Sequence, residues 1–185
     1  MLEITWHESL VSRPERTRAL RQKGATIWLT GLPAAGKSTI ARRLEQKLVV
    51  EARRWAYRLD GDNIRHGLNC DLGFSPANRR ENVRRTAEVP FLLSSDGQAM
   101  VDDVQVAKLM ADAGAIVVAS FISPYEEDRA MARAIHAKDE IPFYEVSIHV
   151  PIEVAEARDP KGLYAKAKIG LIPSRHPFAL SFVHD

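Results

Sequence analysis

The chain has 185 residues, of which 45% are hydrophobic and 27% are charged, a composition typical of one globular domain without room for a second. Its net charge is only +2, which argues against a protein that binds nucleic acid through an overall positive charge. The one cysteine, Cys70, excludes an internal disulfide, and the apolar run 115–122 is too short to cross a membrane, so we predict a cytoplasmic protein.

The first 24 residues are predicted to form a polar leader ahead of a domain over residues 25–170. Residues 8–23 carry five basic side chains with two glutamates among them, a pattern typical of a solvent-exposed helix. No aromatic residue alternates with the basic ones in this stretch, so contact with nucleic acid has no support there.

From residue 26 onward, short β-rich runs alternate with longer helical periods. Ile40, Leu44 and Leu48 recur every four residues and predict a helix directly after the first strand. The alternation predicts an α/β fold of three layers, in which helices flank a mostly parallel sheet. Ligands of such sheets bind beyond the carboxyl ends of the strands. The candidate strands are Thr26–Thr30, Trp55–Asp60, Ala115–Phe121 and Tyr144–Val150.

A phosphate-binding motif, the P-loop, follows the first candidate strand. Its residues are Gly31, Leu32, Pro33, Ala34, Ala35, Gly36, Lys37, Ser38 and Thr39. The two glycines allow successive N–H groups to turn toward an anion, and the helix that starts there adds its positive end. Lys37 would reach the β- and γ-phosphates of ATP, and the Ser38 hydroxyl would hold Mg²⁺. The alternative is a glycine turn without a ligand.

Asp60 stands at the end of the second candidate strand, in the run Asp60-Gly61-Asp62-Asn63. A carboxylate beside a P-loop can order a Mg²⁺-bound water or accept a proton from an attacking hydroxyl. The same letters also suit an ordinary turn. The neighbouring P-loop favours the catalytic interpretation of Asp60.

Further candidates for substrate contact lie between and after the later strands. On a helix, Arg79 and Asn82 would share one face and suit an anionic, hydrogen-bonding substrate. Phe74 could stack on a base, although a single phenylalanine also suits a core. Ser123 follows the third candidate strand and is either an active-site residue or a helix N-cap. The basic segment 158–164 could close over the phosphates, or could be a charged surface loop.

Taken together, these motifs resemble the adenylylsulfate (APS) kinase family. The matching stretches are Thr26–Thr39, Leu59–Gly67, Leu72–Ser75, Arg79–Glu88, Phe121–Arg129 and Arg158–Tyr164. The resemblance implies a P-loop kinase fold and transfer of the ATP γ-phosphoryl group to the ribose 3′-hydroxyl of adenylyl sulfate. The products would be 3′-phosphoadenylyl sulfate (PAPS) and ADP, in sulfate assimilation. Family members commonly dimerise, which implies a homodimer here.

The resemblance also implies roles for individual residues. The adenylyl sulfate site would comprise Asp60, Asp62, Asn63, Arg65, Phe74, Arg79, Asn82, Ile122, Ser123, Lys161 and Leu163. Arg158 would pack near the ATP adenine. The catalytic candidates are Lys37, Asp60 and Ser123, and Ser38 and Asp60 would hold Mg²⁺. Family descriptions make the serine that matches Ser123 a phosphoserine intermediate, but direct in-line transfer needs no such intermediate.

Two segments depart from the family pattern. Residues 89–105 interrupt a helix that the family continues, and Pro90 should break it. Removing them places Val83, Ala87 and Ala107 on one helix face, so we interpret the segment as an insertion, such as a translated intron or alternative gene model. The tail 171–185 lacks the family's Phe-Thr-Gly-Ile lid motif, whose phenylalanine stacks on adenine. Losing a stacking partner would weaken substrate binding about tenfold or more.

Three hypotheses therefore remain open at this point. The first is an active adenylylsulfate kinase with the insertion looped out. The second is a catalytically impaired nucleotide-binding or regulatory variant of the same fold. The third is another small-molecule P-loop kinase, which a substrate panel would reveal.

Overall fold

A parallel β-sheet forms the centre of the computed structural model, which describes residues 9–61, 63, 101–123 and 126–169. Within these ranges the sheet has four strands in the order β2-β3-β1-β4, and every neighbouring pair is parallel. The strands are β1 (Ala25–Thr30), β2 (Ala56–Asp60), β3 (Ile116–Ser120) and β4 (Phe143–Ser147). This arrangement confirms the predicted α/β fold with a parallel sheet flanked by helices.

Of the helices in the described ranges, one precedes β1, three lie in the connections between successive strands and two follow β4. They are α1 (Arg13–Leu20), α2 (Lys37–Gln46), α3 (Val101–Asp112), α4 (Glu126–Lys138), α5 (Ile152–Arg158) and α6 (Leu163–Lys168). A wider π-helical turn, Lys47–Glu51, continues α2 toward β2. None of the described helices is long and apolar enough to cross a membrane.

Side chains alternate between the two faces of the sheet, as the pleat requires. On one face Leu29 and Val118 pack against Ala41 of α2, with Leu44 and Leu48 beside them. Ile40, which the four-residue spacing assigned to this face, is instead 42% exposed, and Ala41 occupies its place. The helix thus buries positions spaced three and four apart, as a 3.6-residue period demands.

The opposite face of the sheet is covered by α3 and α4. Val117 and Leu59 pack with Ala107 and Ala111 of α3. Trp28 and Ala119 pack with Ala132 of α4, and the Trp28 ring stacks on Phe121 with centroids 5.0 Å apart. Helices on both faces give the predicted three layers.

The carboxyl ends of the strands finish at one edge of the sheet. Asp60 of β2 pairs with Ser120 of β3, which pairs in turn with Leu29 of β1. Thr30, the last residue of β1, pairs with Ser147 of β4. The strand ends therefore deliver Gly31, Gly61 and Phe121 to the same edge, where the sequence analysis places the site.

Strand β4 ends at Ser147, three residues earlier than the alternation of the sequence predicts. Its described pairing is with β1, and β1 ends at Thr30, where the P-loop turns away. A last backbone hydrogen bond runs from Ile148 N–H to the Thr30 carbonyl. Residues 149–150 have no strand to pair with along β1, so the apolar alternation alone does not extend the ladder.

The leader docks on the opposite, amino-terminal edge of the sheet. Helix α1 buries none of its residues, in keeping with the predicted solvent-exposed helix. Arg13 forms an ion pair with Asp112 at 2.7 Å. The Gln22 amide donates to the carbonyls of Trp55 and Gly114, at 2.8 and 2.7 Å. These contacts hold the leader against the starts of β2 and β3.

Helix α3 (Val101–Asp112) includes the last five residues of the proposed insertion, 101–105. The backbone of residues 101–105 is thus helical and continuous with the segment that packs on the sheet. The remainder of the proposed insertion, residues 89–100, lies outside the described residues, as does the tail 171–185.

Candidate active site

The P-loop adopts the backbone that its glycines permit. Gly31 has φ +135°, Ala34 has φ +60° and Gly36 has φ +102° at the N-cap of α2. A Cβ built on Gly31 would lie 2.4 Å from the Ile148 carbonyl oxygen, so a side chain at position 31 would collide with the chain that leaves β4. Both conformation and close approach therefore require glycine at this position.

Lys37 is the first residue of α2, and its side chain folds back across the P-loop. Its Nζ donates to the carbonyl oxygens of Gly31 and Leu32, both at 2.8 Å, and the residue is 8% exposed. The ammonium group is thus held against the loop that would surround a phosphate. Ser38 and Thr39 follow on the first turn of α2 and are exposed.

Asp60 is a buried carboxylate at the end of β2, with 4% of its surface exposed. The Nη1 of Arg58 lies 3.0 Å from Asp60 Oδ2. Arg58 also reaches Glu45 of α2: its Nε lies 3.6 Å from Glu45 Oε2, and its backbone N–H donates to Oε1 at 2.9 Å. The guanidinium thus gives the buried Asp60 carboxylate a positive partner.

Ser123, just beyond β3, is held in a buried hydrogen-bond network. The indole Nε1 of Trp28 donates to Ser123 Oγ at 3.0 Å, and Ser123 Oγ donates to Thr30 Oγ1 at 3.1 Å. Thr30 Oγ1 in turn donates to the carbonyls of Ile122 and Ser123. Two residues of β1 therefore fix the segment that leaves β3.

The lid segment predicted over residues 158–164 contacts the P-loop backbone directly. The Tyr164 hydroxyl donates to the Pro33 carbonyl at 3.0 Å, and Arg158 Nη1 lies 3.5 Å from the Ala34 carbonyl. The Asp159 carboxylate accepts from the backbone N–H groups of Leu163 and Ala165, and so orders the start of α6. Burial, followed by the negative charges of Asp159 and Glu156, raises the pKa of Tyr164.

The residues predicted to hold Mg²⁺ have suitable chemistry. Ser38 offers a hydroxyl oxygen beside the P-loop, and Asp60 offers a carboxylate at the same edge of the sheet, about two strand spacings or 10 Å from β1. Mg²⁺ usually takes one or two protein oxygens and completes its shell with substrate phosphates and water. In the described part of the chain no group of three or more His, Cys, Asp or Glu residues could hold a metal by itself.

The structure brings together most of the predicted site residues that it describes. The P-loop (31–39), Asp60, Ile122 and Ser123 lie at the carboxyl edge of the sheet, and Arg158 lies beside the P-loop. Asn63 is exposed three residues beyond β2, Lys161 is exposed, and Leu163 begins α6. The predicted residues outside the described ranges are Asp62, Arg65, Phe74, Arg79 and Asn82.

Three supporting residues were not singled out from the sequence. Trp28 and Thr30 hold Ser123, and Tyr164 joins the lid segment to Pro33. The alternation of β1 could have indicated Trp28 and Thr30, because residues two apart share one face of a strand and both lie near the carboxyl end of β1. Nothing in the local sequence indicates the Tyr164 contact, whose partners are 131 residues apart.

Comparison with known proteins gives one consistent result. A family model described as adenylylsulphate kinase matches residues 23–104 and 100–175. An adenylyl-sulfate kinase of Penicillium chrysogenum is 53% identical over 175 residues, covering 91% of this chain and 75% of its own. That of Saccharomyces cerevisiae is 52% identical over 169 residues, covering 91% and 74%. A Mycobacterium tuberculosis APS kinase, solved in complex with AMPPNP and APS, superposes with a TM-score of 0.65 at 48% identity, covering 82% of this chain and 77% of its own.

Proposed function

Because the chain belongs to the adenylylsulphate kinase family, we propose that it transfers the γ-phosphoryl group of ATP to the ribose 3′-hydroxyl of adenylyl sulfate, giving PAPS and ADP in sulfate assimilation. The observation that carries the proposal is the placement of two charges at one edge of the sheet. Lys37 lies across the P-loop, and Asp60 stands buried about two strand spacings away. The Lys37 ammonium suits the phosphates of ATP, and the Asp60 carboxylate suits the hydroxyl of the acceptor.

Residues 31–39 would bind the phosphates of ATP. The left-handed backbone at Gly31 and Gly36 supports a concave loop, and the amino end of α2 adds a positive partial charge. On nucleotide binding, the Lys37 ammonium would exchange its contacts with Gly31 and Leu32 for the β- and γ-phosphate oxygens. The loop thereby positions the γ-phosphorus for attack from the side away from ADP.

Asp60 would act on the acceptor. Its carboxylate would orient the ribose 3′-hydroxyl and accept its proton as the 3′-oxygen bonds to the γ-phosphorus. The bond between that phosphorus and the bridging oxygen then breaks, and ADP leaves with the electron pair. Arg58 holds the carboxylate at the strand end during this exchange.

Ser38 and Asp60 would hold the Mg²⁺ that accompanies ATP. Bound there, the ion would supply positive charge against the phosphate oxygens as negative charge shifts toward ADP. The hydroxyl and carboxylate are oxygen ligands of the kind that Mg²⁺ prefers.

The remaining predicted residues would form the adenylyl sulfate site. Ile122 and Ser123 would contribute from the end of β3, and Lys161 and Leu163 would contribute from the lid segment. The other members proposed are Asp62, Asn63, Arg65, Phe74, Arg79 and Asn82. Arg158, whose Nη1 lies 3.5 Å from the Ala34 carbonyl, would pack near the ATP adenine. Docking of Tyr164 on Pro33 would help the lid exclude water from the transferred phosphoryl group.

The organisation of the chain supplies further proposals. The domain covers residues 25–170 with an insertion at 89–105, and sequencing of the mature transcript tests whether the segment is present in every message. A homodimer is expected by family resemblance, and sedimentation equilibrium of the purified chain tests it. Cytoplasmic location is tested by cell fractionation.

The position of the transferred phosphate tests the proposed reaction. Incubation with ATP labelled at the γ-phosphate, Mg²⁺ and adenylyl sulfate should place the label on the ribose 3′-oxygen of the product. Label on a different acceptor in a substrate panel would identify another kinase activity. Label only in inorganic phosphate would indicate an impaired acceptor site.

A further inference from the structure

Ser123 has a backbone conformation that needs external support. Its φ is +27°, in the left-handed region that costs a residue with a Cβ free energy. The carbonyl of Ser123 is held by two donors: Thr30 Oγ1 at 3.2 Å and Arg129 Nη1 at 3.1 Å. One donor belongs to β1 and the other to α4, so two different elements hold the segment that leaves β3 by hydrogen bonds.

Arg129 is itself fixed by a carboxylate from a third element. Its Nε donates to Glu145 Oε1 of β4 at 2.7 Å, and both side chains are less than one-fifth exposed. Glu145 lies directly opposite Trp28 in the β1–β4 register, and Trp28 is the donor to Ser123 Oγ. The contacts of Arg129 and Trp28 therefore converge on one residue, Ser123.

We propose that Arg129 and Glu145 form a positioning pair that sets the geometry of Ile122 and Ser123 for the acceptor substrate. The inference rests on the proposed function, because it assigns those two residues to the adenylyl sulfate site. Neither member of the pair need touch substrate. Arg129 acts through the Ser123 carbonyl, and Glu145 acts through Arg129 by fixing the plane of the guanidinium, which then makes both bonds at once.

Arg133 provides a matched control on the same helix. Its Nη2 pairs with the other carboxylate oxygen of Glu145 at 2.6 Å, but the side chain is 57% exposed. The contact of α4 with the Ser123 carbonyl is made by Arg129. Removing the Arg133 guanidinium thus breaks an ion pair to Glu145 but keeps the hydrogen bond from Arg129 to the Ser123 carbonyl.

The test compares Arg129→Met, Arg129→Lys and Arg133→Met in the full chain. Loss of a hydrogen bond from a charged donor should raise the KM for adenylyl sulfate about tenfold or more in Arg129→Met, with little change in the KM for ATP. Arg129→Lys should be intermediate, because an ammonium keeps the charge but lacks the planar fork. Arg133→Met should match the wild type in both constants.

A second readout is independent of turnover. The indole N–H of Trp28 reports the environment of Ser123, so its resonance in a ¹H–¹⁵N spectrum should move in Arg129→Met and stay in place in Arg133→Met. If Arg129→Met fails to fold, Glu145→Gln serves instead, since it keeps an acceptor for Arg129 but removes the charge. It should give a smaller rise in the KM for adenylyl sulfate and a smaller shift of the Trp28 resonance.

The outcomes separate the positioning pair from the proposed function. A wild type that phosphorylates adenylyl sulfate, with an unchanged KM in folded Arg129→Met, would overturn the pair alone. An equal rise in both Michaelis constants, or the same rise in Arg133→Met, would also overturn it. A wild type that does not use adenylyl sulfate would overturn the proposed function, and with it any acceptor role for the pair.

Discussion

The indole Nε1 of Trp28 donates a hydrogen bond of 3.0 Å to the Oγ of Ser123. The Ser123 hydroxyl in turn donates a hydrogen bond of 3.1 Å to Thr30 Oγ1, and Ser123 is 7% exposed. The Ser123 hydroxyl therefore both accepts and donates a hydrogen bond within the fold. A phosphoryl group on Oγ would have to break the hydrogen bond to Thr30 inside a buried site, so the geometry favours a supporting role for Ser123 over a covalent one.

Replacement Ser123→Ala tests this role. We expect phosphoryl transfer to persist, while the free energy of unfolding falls by about 1–3 kcal/mol because the Trp28 N–H loses its acceptor. Turnover assays and urea unfolding measure the two effects. A phosphorylated Ser123 in the wild type, or a folded variant without turnover, would contradict the expectation.

Replacement Lys37→Ala removes the ammonium group that lies across the P-loop. Turnover should fall by about 10²–10³-fold, the usual cost of losing a donor that stabilises transition-state charge, while the fold survives. Lys47→Ala is the control, because Lys47 is an exposed residue just beyond the carboxyl end of the same helix. Circular dichroism and ADP release measure fold and turnover. Unchanged turnover in Lys37→Ala would overturn the assignment of the phosphate site.

Replacement Asp60→Asn keeps the size of the side chain and removes the proposed proton acceptor. We expect turnover to fall by about 10²–10⁴-fold, a larger loss than that in Mg-ATP binding, to which Asp60 would contribute only one Mg²⁺ ligand beside Ser38. Asp112→Asn is a suitable control, since Asp112 pairs with Arg13 at the opposite edge of the sheet. Calorimetric titration with ATP separates binding from transfer. Equal losses in both variants would mean that Asp60 has no special part in the reaction.

The sequence predicted the sheet, its helices and the phosphate loop because these depend on local patterns. Glycine spacing fixes the P-loop, and apolar periods fix the faces of α2 and the strands. The pairing of Tyr164 with Pro33, and of Arg129 with Ser123, depends on how distant elements pack, and polar residues such as Glu145 look like ordinary surface until the sheet is assembled. Supporting contacts of this kind carry no local signal.

The contact between Tyr164 and Pro33 gives a test of the lid. Tyr164→Phe removes the hydroxyl that donates to the Pro33 carbonyl, and should raise the KM for ATP about two- to tenfold, the value of one neutral hydrogen bond. Tyr144→Phe is the control, because Tyr144 is 58% exposed on β4. Steady-state kinetics with varied ATP measures the difference. A KM for ATP equal to that of the control would show that this bond does not order the P-loop.

A buried histidine should make stability depend on pH. His136 is fully buried, its Nδ1 lies 2.9 Å from the Ala132 carbonyl and so carries the proton, and its Nε2 accepts from Thr26 Oγ1. Burial, aided by the charge of Lys108 and opposed by the Ala132 contact and Asp139, lowers the pKa of His136 below its ordinary value of 6.5. The neutral ring is therefore favoured in the folded state.

The stability from His136 is fully present above pH 6.5 and is lost as the pH falls from 6.5 toward the lower folded-state pKa. The loss should approach about 1.4 kcal/mol per pH unit within that window. Urea unfolding at pH 7.5 and pH 5.5 should show a larger drop for the wild type than for His136→Gln, which does not titrate. Equal drops in the two proteins would show that His136 does not set this dependence.

ADP production by the purified chain with Mg-ATP, with and without adenylyl sulfate, tests the central claim most directly. The account predicts strong stimulation of ADP release by adenylyl sulfate, because Asp60 and the P-loop would bring acceptor and donor together at one sheet edge. Binding of ATP without any stimulation by adenylyl sulfate would contradict it, and would leave a nucleotide-binding protein whose acceptor site does not function.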